Sequence, residues 1–359
     1  MSIRYDRRKF IRTAAVVGAG LGMGGRLTAA PQSFGYAGPL SVEAGRRVGI
    51  IGLDTSHATA FTQALNGPKA GGEYAGYRVV AAYPQGSLDI ASSVERIPGY
   101  TEQVRKLGVE IVGSVAELLQ RVDVVLLETN DGRRHLEQAL QVFEAGKPVF
   151  IDKPVAASLK DAVAIYAAAE KRGVPVFSSS SLRYTPNVQE AVAGKAGRIL
   201  AVDAWSPMRI EKTHPDLFWY GIHGVETLFT LMGTGCRSVS RIRTEEAEVV
   251  TGTWADGRIG TFRGLHKGKQ DYGGTVFGEK SILTVGPHVG YEPLLRQIIG
   301  FFQTGKPPVS AAETLEIFAF MEAADVSKRK GCRSVDLQEL LRKWGGRISY
   351  RPALLTGIA

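Results

Sequence analysis

Residues 48–65, VGIIGLDTSHATAFTQAL, constrain the fold of this chain more than any other stretch. A β-branched apolar run, Val48 to Ile51, stops at Gly52, passes through the polar turn Leu53-Asp54-Thr55-Ser56-His57 and continues into a helical pattern. Strand, turn and helix in that order open a βαβ unit, which requires a parallel neighbour strand. The chain supplies such strands repeatedly: β-rich runs at 77–83, 109–112, 122–127, 148–151 and 174–177 alternate with helical patterns at 100–107, 114–119, 134–145 and 158–172. The run at 122–127 is almost wholly apolar, as a strand covered on both faces must be. Ser114 with Glu117 forms a helix-start signal, and Gly146 closes the helix before it. This alternation predicts an α/β, Rossmann-like parallel sheet domain over residues 46–180.

Beyond Ser181 the pattern changes. Strand-like runs at 199–204, 239–243, 246–254, 259–264 and 274–285 follow one another with few helical crossovers, and the main helical candidate between them is 219–232. An α+β domain with a mainly antiparallel sheet is expected over residues 181–335, with helices at 291–304 and 311–330, followed by a C-terminal helix and tail over 336–359.

The formal charge of +9 does not indicate nucleic-acid binding once it is divided along the chain. The first 37 residues hold six Lys or Arg against one Asp, leaving the remainder at only +4. The basic residues Arg241, Arg243, Arg263, Lys267 and Lys269 read as a solvated sheet edge rather than a polyanion patch. That N-terminal excess sits in Arg7-Arg8-Lys9-Phe10-Ile11-Arg12, ahead of an Ala/Gly/Val-rich stretch and small residues near Ala29-Ala30. The arrangement resembles a twin-arginine export signal over residues 1–37, joined by a linker at 38–45. It implies contact with the twin-arginine export machinery and a periplasmic or otherwise exported protein. Five glycines interrupt the apolar stretch, so no stable transmembrane anchor is expected. Cys236 and Cys332 allow at most one disulfide, and no Cys/His metal spacing is present, so no metal ligands are assigned.

Two constellations carry chemistry. Asp152-Lys153-Pro154 follows a buried strand, at the edge where an open parallel sheet binds its ligands. An ammonium there can hydrogen-bond a substrate hydroxyl or carbonyl oxygen. Trp219-Tyr220-Gly221-Ile222-His223-Gly224-Val225-Glu226 places His223 and Glu226 on one helical face, where a carboxylate can orient an imidazole that accepts a proton.

With the βαβ opening, the stretch 122–147 containing His135 and Ala145-Gly146-Lys147, Asp152-Lys153-Pro154, Leu182-Arg183-Tyr184 and Gly221-Ile222-His223, the chain resembles the glucose-fructose oxidoreductase and inositol dehydrogenase family, Gfo/Idh/MocA, across residues 46–331. The resemblance implies an NAD- or NADP-dependent oxidoreductase acting on a sugar, polyol or cyclitol, and a homo-oligomer. Lys153 would match the catalytic lysine of the family's Glu-Lys-Pro motif, with Asp152 in place of the glutamate. His223 would match the histidine of the Asp-x-x-x-His motif, whose aspartate falls on Trp219, so that Glu226 alone would orient it. The crevice would be built from Gly52, Leu53, Asp54, Thr55, Ser56, His57, Glu128, Thr129, Asn130 and His135, and the substrate subsite from Arg183, Tyr184, Lys212, His214 and Trp219.

The dinucleotide fingerprint departs from G-x-G-x-x-G at Asp54 and His57. Pro84 stands after the second strand where an acid commonly receives the ribose, and Glu128 stands near the expected nicotinamide position. Two carboxylates there oppose a pyrophosphate unless a cation, a raised pKa or an altered backbone path intervenes. Direct contacts from Asp54, His57 and Glu128 to a sugar or a divalent ion are the alternative use of these residues. The corresponding alternative functions are a non-redox sugar lyase or hydrolase, and a sugar-binding or assembly protein without nicotinamide use.

Overall fold

The computed structural model describes residues 45–345 except 69 and 71. The expected export signal at 1–37 and the tail beyond 345 lie outside the described residues. The first sheet is built from β1 (Arg47–Ile51), β2 (Arg78–Tyr83), β3 (Glu110–Ile111), β4 (Val124–Leu127), β5 (Val149–Ile151) and β6 (Val176–Phe177). All pairs are parallel, in the order β3-β2-β1-β4-β5-β6. The strands alternate with α1 (Ser56–Asn66), α2 (Ala91–Lys106), α3 (Val115–Leu119), α4 (Gly132–Glu144) and α5 (Leu159–Arg172). Ser114 caps α3 by accepting the Glu117 N–H at 3.1 Å, as its sequence signal requires. The order reverses at β1, where the chain crosses from β3 to β4, and this switch point opens a crevice above the ends of β1 and β4.

A short α6 (Pro186–Val192) leads to the second sheet. Its strands are β7 (Ile199–Pro207), β8 (Cys236–Arg243), β9 (Ala247–Trp254), β10 (Ile259–Leu265), β11 (Gly273–Gly278), β12 (Ile282–Val285) and, at the edge, β13 (Val335–Asp336). Every pairing is antiparallel except β7 with β10. The run at 274–285, expected as one strand-like stretch, is the β11–β12 hairpin. The helix expected at 219–232 is the shorter α7 (Ile222–Met232), preceded by a 3₁₀ turn at Asp216–Phe218. Helices α8 (Glu292–Thr304), α9 (Ala311–Arg329) and α10 (Leu337–Gly345) complete the chain.

Packing ties the two sheets together. Helix α8 lies far beyond the first sheet in sequence, yet its buried Leu294, Leu295, Ile298, Ile299, Phe301 and Phe302 join the core of that sheet's α1 face. Phe301 meets Phe177 of β6 edge-on at 4.8 Å. Each such side chain contributes roughly 1.5–3 kcal/mol on burial. The opposite face, with α4 and α5, shares one continuous apolar cluster with α7, α9 and the second sheet.

Arg241 corrects the expectation of a solvated sheet edge: it is fully buried. Its guanidinium meets Asp216 at 2.7 Å and Glu248 at 2.6 Å, and also bonds Asp325. Carboxylates from three separate elements converge on it, and only such pairing makes a buried charge tolerable. Cys236 is buried, Cys332 is exposed, and both are free thiols. Among the described residues no helix is long and apolar enough to cross a membrane.

The turn after β1 has one position that only glycine fills. Gly52 has φ +93°, and a Cβ there would lie 2.3 Å from the Thr129 backbone nitrogen. Gly52→Ala is expected to cost about 3 kcal/mol or more. Thermal unfolding measures this as a lowered Tm, and an unchanged Tm would contradict the close approach of the two strand ends.

Candidate active site

The ends of β1 and β4 are joined through Asp54. Its carboxylate is fully buried, accepting the Asn130 backbone N–H at 2.9 Å on one oxygen and the Ser93 hydroxyl at 2.7 Å on the other. Arg96 donates to the Asp54 carbonyl at 3.2 Å. Burial pushes the Asp54 pKa up to about 6, against the hydrogen bonds from Ser93 and Asn130. Nearby contacts link the loop after β2 to the end of β4 and start of α4. Ser87 bonds Asp131, Arg133 pairs with Asp89 at 2.8 Å, and the Gln138 amide donates to Gln85 at 2.7 Å. Because β2 and β4 flank β1, these bonds bridge the crevice on its β2 side, the side to which a dinucleotide's adenosine ribose would turn.

The other side of the crevice is organised by Asp152 at the end of β5. One oxygen of this fully buried carboxylate accepts from His57 Nδ1 at 2.9 Å and from the Lys153 backbone N–H at 2.8 Å. The other lies 3.6 Å from Lys153 Nζ. Burial opposes ionisation, yet His57 and Lys153 hold Asp152 well below the usual carboxylate range. For Lys153 burial likewise disfavours charge, but Asp152 outweighs it and the pKa is raised. Glu128 is the reverse case: burial and the neighbouring Asp152 push its pKa far up. The shift is toward the protonated form, which weakens one of the two opposing charges inferred from the sequence. His57 Nδ1 lies 3.7 Å from Glu128 Oε2, and the Thr55 hydroxyl donates to that oxygen at 3.4 Å.

His57, Glu128 and Asp152 place donor atoms within 4.8 Å of one another, a grouping that could also hold a cation. The sequence offered Asp54, His57 and Glu128 as an alternative divalent-ion grouping without assigning metal ligands; in the structure Asp152, not Asp54, completes the cluster. The Lys153 ammonium, 3.6 Å from Asp152, already supplies positive charge at this point.

Above these residues lies a cavity of about 180 Å³. Thr55, Ser56, His57, Asn130, Asp152, Lys153, Trp219 and His223 line it, all expected site residues. His223 occupies the first turn of α7, with Nδ1 bonded to Ser180 Oγ at 2.8 Å. Burial, followed by the charges of Lys153 and His57, holds its pKa well below the ordinary histidine value. Lys153 is therefore a cation and His223 a neutral imidazole in the same cavity. Arg96, Ser181, Leu182, Tyr220, Tyr272, His288 and Tyr291 also line the wall. Tyr291, just before α8, bonds Ser56 at 3.0 Å and lays its ring against His57 at 4.4 Å. Tyr272, His288 and Tyr291 carried no motif; their chain segments become neighbours of the strand ends only through tertiary folding.

Several expected site residues sit elsewhere. Glu226 does not orient His223: it pairs with Arg183, whose Nη2 is 3.1 Å away, while Ser180 bonds the imidazole. Helical spacing put the two residues on one face, but α7 directs Glu226 to the ion pair beneath. Burial raises Glu226 to about 7 against the pull of Arg183. Arg183 also meets Glu313 at 2.7 Å, and burial pushes the adjoining Tyr184 hydroxyl up to about 12; neither residue lines the cavity. His135 is fully buried between the carbonyls of Thr129, at 2.6 Å, and Val155, at 3.3 Å, so it ties α4 to two strand ends. His214 packs on Trp219 at 4.9 Å and lies 3.1 Å from Asp131, while Lys212 is exposed. Gly52, Leu53, Asp54, Glu128 and Thr129 are buried and do not line the cavity.

The fit to a nicotinamide dinucleotide differs along the crevice. Thr55 makes no side-chain cap on α1, leaving first-turn N–H groups for an anion. Residues 52–57 would thus receive the pyrophosphate at the start of α1, beside a Glu128 whose pKa is raised by burial. On the β2 side, the Ser87–Asp131 and Arg133–Asp89 contacts join the loop after β2 to the start of α4.

Residues 46–180 match the sequence profile of the Gfo/Idh/MocA oxidoreductase family, described as an NAD-binding Rossmann fold. Over 130 residues the chain is 31% identical to inositol 2-dehydrogenase 3 of Saccharopolyspora erythraea, covering 35% of this chain and 33% of that relative. The matched segment therefore spans about a third of the relative's length. Similar solved structures include a probable dehydrogenase from Thermotoga maritima, with TM-score 0.66, 19% identity, and 82% and 99% of the two chains covered. Another is myo-inositol dehydrogenase from Lactobacillus casei in complex with NAD(H) and myo-inositol, with TM-score 0.64, 17% identity, and 81% and 96% covered.

The raised Asp54 pKa has a defined consequence for stability. A carboxyl group whose folded pKa lies above its unfolded value favours the folded state when protonated. Its contribution is complete below about pH 4 and is lost as pH rises through 6. Two units correspond to roughly 3 kcal/mol. Asp54→Asn, which stays neutral, is expected to flatten the fall in stability between pH 4 and 6 relative to wild type. Parallel unfolding curves for the two proteins across that window would contradict the buried, protonatable state. From these likenesses and the sheet order, the chain has the fold of the Gfo/Idh/MocA dehydrogenases.

Proposed function

We propose that this protein is an NAD(P)-dependent oxidoreductase acting on a hydroxyl or carbonyl group of a sugar, polyol or cyclitol. The observation that carries this reading is the pairing of a charged Lys153 with a neutral His223 on one cavity at the sheet's ligand edge. Lys153 holds the reacting oxygen by a charge-assisted hydrogen bond. With Nδ1 committed to Ser180, His223 offers Nε2 to accept the hydroxyl proton, and returns it in the reverse direction. A bound nicotinamide supplies the hydride carrier. The aromatic wall of Trp219, Tyr220, Tyr272 and Tyr291 suits the C–H faces of a sugar or cyclitol ring and limits water in the cavity.

Two further features belong to this reading. Ile242, Ile259 and Ile282 on the second sheet are each more than half exposed, which supports a homo-oligomer that covers them. The twin-arginine-like residues 7–12 support export to the periplasm.

NAD and NADP titration of the purified protein, monitored calorimetrically with and without cyclitols, tests the cofactor. Measurable affinity is expected, and its absence under all these conditions would refute the reading. Lys153→Met and His223→Asn are each expected to lower turnover about 100-fold or more, with a smaller effect on cofactor affinity. Unchanged turnover in either variant would remove that residue from the proposed proton path. Asp54→Asn is expected to tighten cofactor binding by about 3- to 10-fold, because it removes negative charge beside the pyrophosphate position.

A further inference from the structure

Hydroxyl oxidation needs one proton acceptor, yet the cavity contains a second imidazole that this chemistry leaves unused. His57 packs against two rings, with Phe61 stacked at 5.2 Å and the Tyr291 ring roughly perpendicular at 4.4 Å. Its Nδ1 faces the anionic Asp152 at 2.9 Å and so carries the hydrogen of that bond, leaving Nε2 as the proton-accepting nitrogen. A carboxylate, an imidazole fixed by it and a cavity wall reproduce the parts of a general base and its orienting group. Lys153 stands beside the same carboxylate, 3.6 Å from its other oxygen, and both Lys153 and His57 line the cavity in which a substrate would sit.

We propose that His57, positioned by Asp152, removes the proton from the carbon next to a ketone carbonyl held by Lys153, giving this site a cofactor-independent lyase activity on keto-sugars or keto-cyclitols. The C–H electron pair forms a C=C bond while the carbonyl pair moves onto the oxygen bonded to Lys153. Return of the proton to the same carbon restores the ketone. Where the next carbon bears a hydroxyl or alkoxy group, the oxygen pair instead re-forms the C=O bond. The enolate C=C pair shifts to form a C=C bond to that carbon, and its C–O bond breaks with the pair leaving on the departing oxygen. The departing oxygen takes the proton from His57, and the products are an enone and water or an alcohol. No oxidant or reductant is consumed.

The probe is 2-keto-myo-inositol in deuterated buffer with the full-length protein and no nicotinamide. Deuterium entry next to the carbonyl and loss of water are read by mass spectrometry. Wild type is expected to accelerate exchange about 100-fold or more over buffer, and His57→Asn to lower that rate at least about 10-fold. Asp152→Asn is expected to lower the rate and shift the pH dependence of exchange, a readout that a purely structural role would not move. Absence of catalysed exchange in wild type, or an undiminished rate in a folded His57→Asn protein, would overturn the proposal. So would exchange that chelation abolishes and a divalent cation restores, because His57 would then be a metal ligand. The wild-type measurement keeps the proposal falsifiable even where a variant does not fold. The inference shares Lys153 and the cavity with the proposed oxidoreductase but not its cofactor. Exchange without NAD(P) affinity refutes only the oxidoreductase reading, and NAD(P) affinity without exchange refutes only this one.

Discussion

The site depends on one buried carboxylate. Asp152 is fully inaccessible at the end of β5, where an unpaired charge would be costly, and it is tolerable because His57, the Lys153 amide and the Lys153 ammonium surround it. That arrangement propagates. Asp152 keeps Lys153 charged, burial and Lys153 keep His223 neutral, and burial together with the same negative charge pushes the Glu128 pKa far up. The charge on Lys153 thus follows from the position of one carboxyl group, and the neutrality of His223 from burial and from Lys153 in turn.

The departures from a glycine-rich fingerprint form a connected set. Where a second glycine would let the backbone approach a phosphate, Asp54 sends a carboxyl group to the Asn130 amide and the Ser93 hydroxyl. Where a third glycine would allow close helix packing, His57 turns instead toward Asp152. The second substitution adds a titratable group to the cavity wall, and the first joins two strand ends. The Ser87–Asp131 and Arg133–Asp89 contacts extend the same bridging toward β2. One crevice therefore combines an α1 terminus without a side-chain cap and a β2 side bridged by side-chain contacts.

Features set by local pattern were readable in the sequence. The parallel sheet followed from alternating strand and helix periods, and Lys153 and His223 followed from motifs at a strand end and a helix start. Features set by tertiary meeting were not. Arg241 reads as one more basic residue on a sheet until Asp216, Glu248 and Asp325 arrive from other elements. Glu226 shares a helical face with His223, but spacing along a helix does not tell which neighbour lies beneath, and that neighbour is Arg183. Helix α8 carries an ordinary apolar stripe; nothing local reveals that it packs on the first sheet and brings Tyr291 against His57.

The central claim is that a cation and a neutral imidazole coexist in this cavity because of Asp152 and burial. The most direct measurement is an NMR titration of the His223 imidazole in the wild-type protein and in Lys153→Met. The account predicts a neutral His223 in wild type throughout the neutral range, and an upward shift of its titration when the ammonium is removed. A His223 that is protonated at pH 7 in wild type, or whose titration does not move without Lys153, would contradict it.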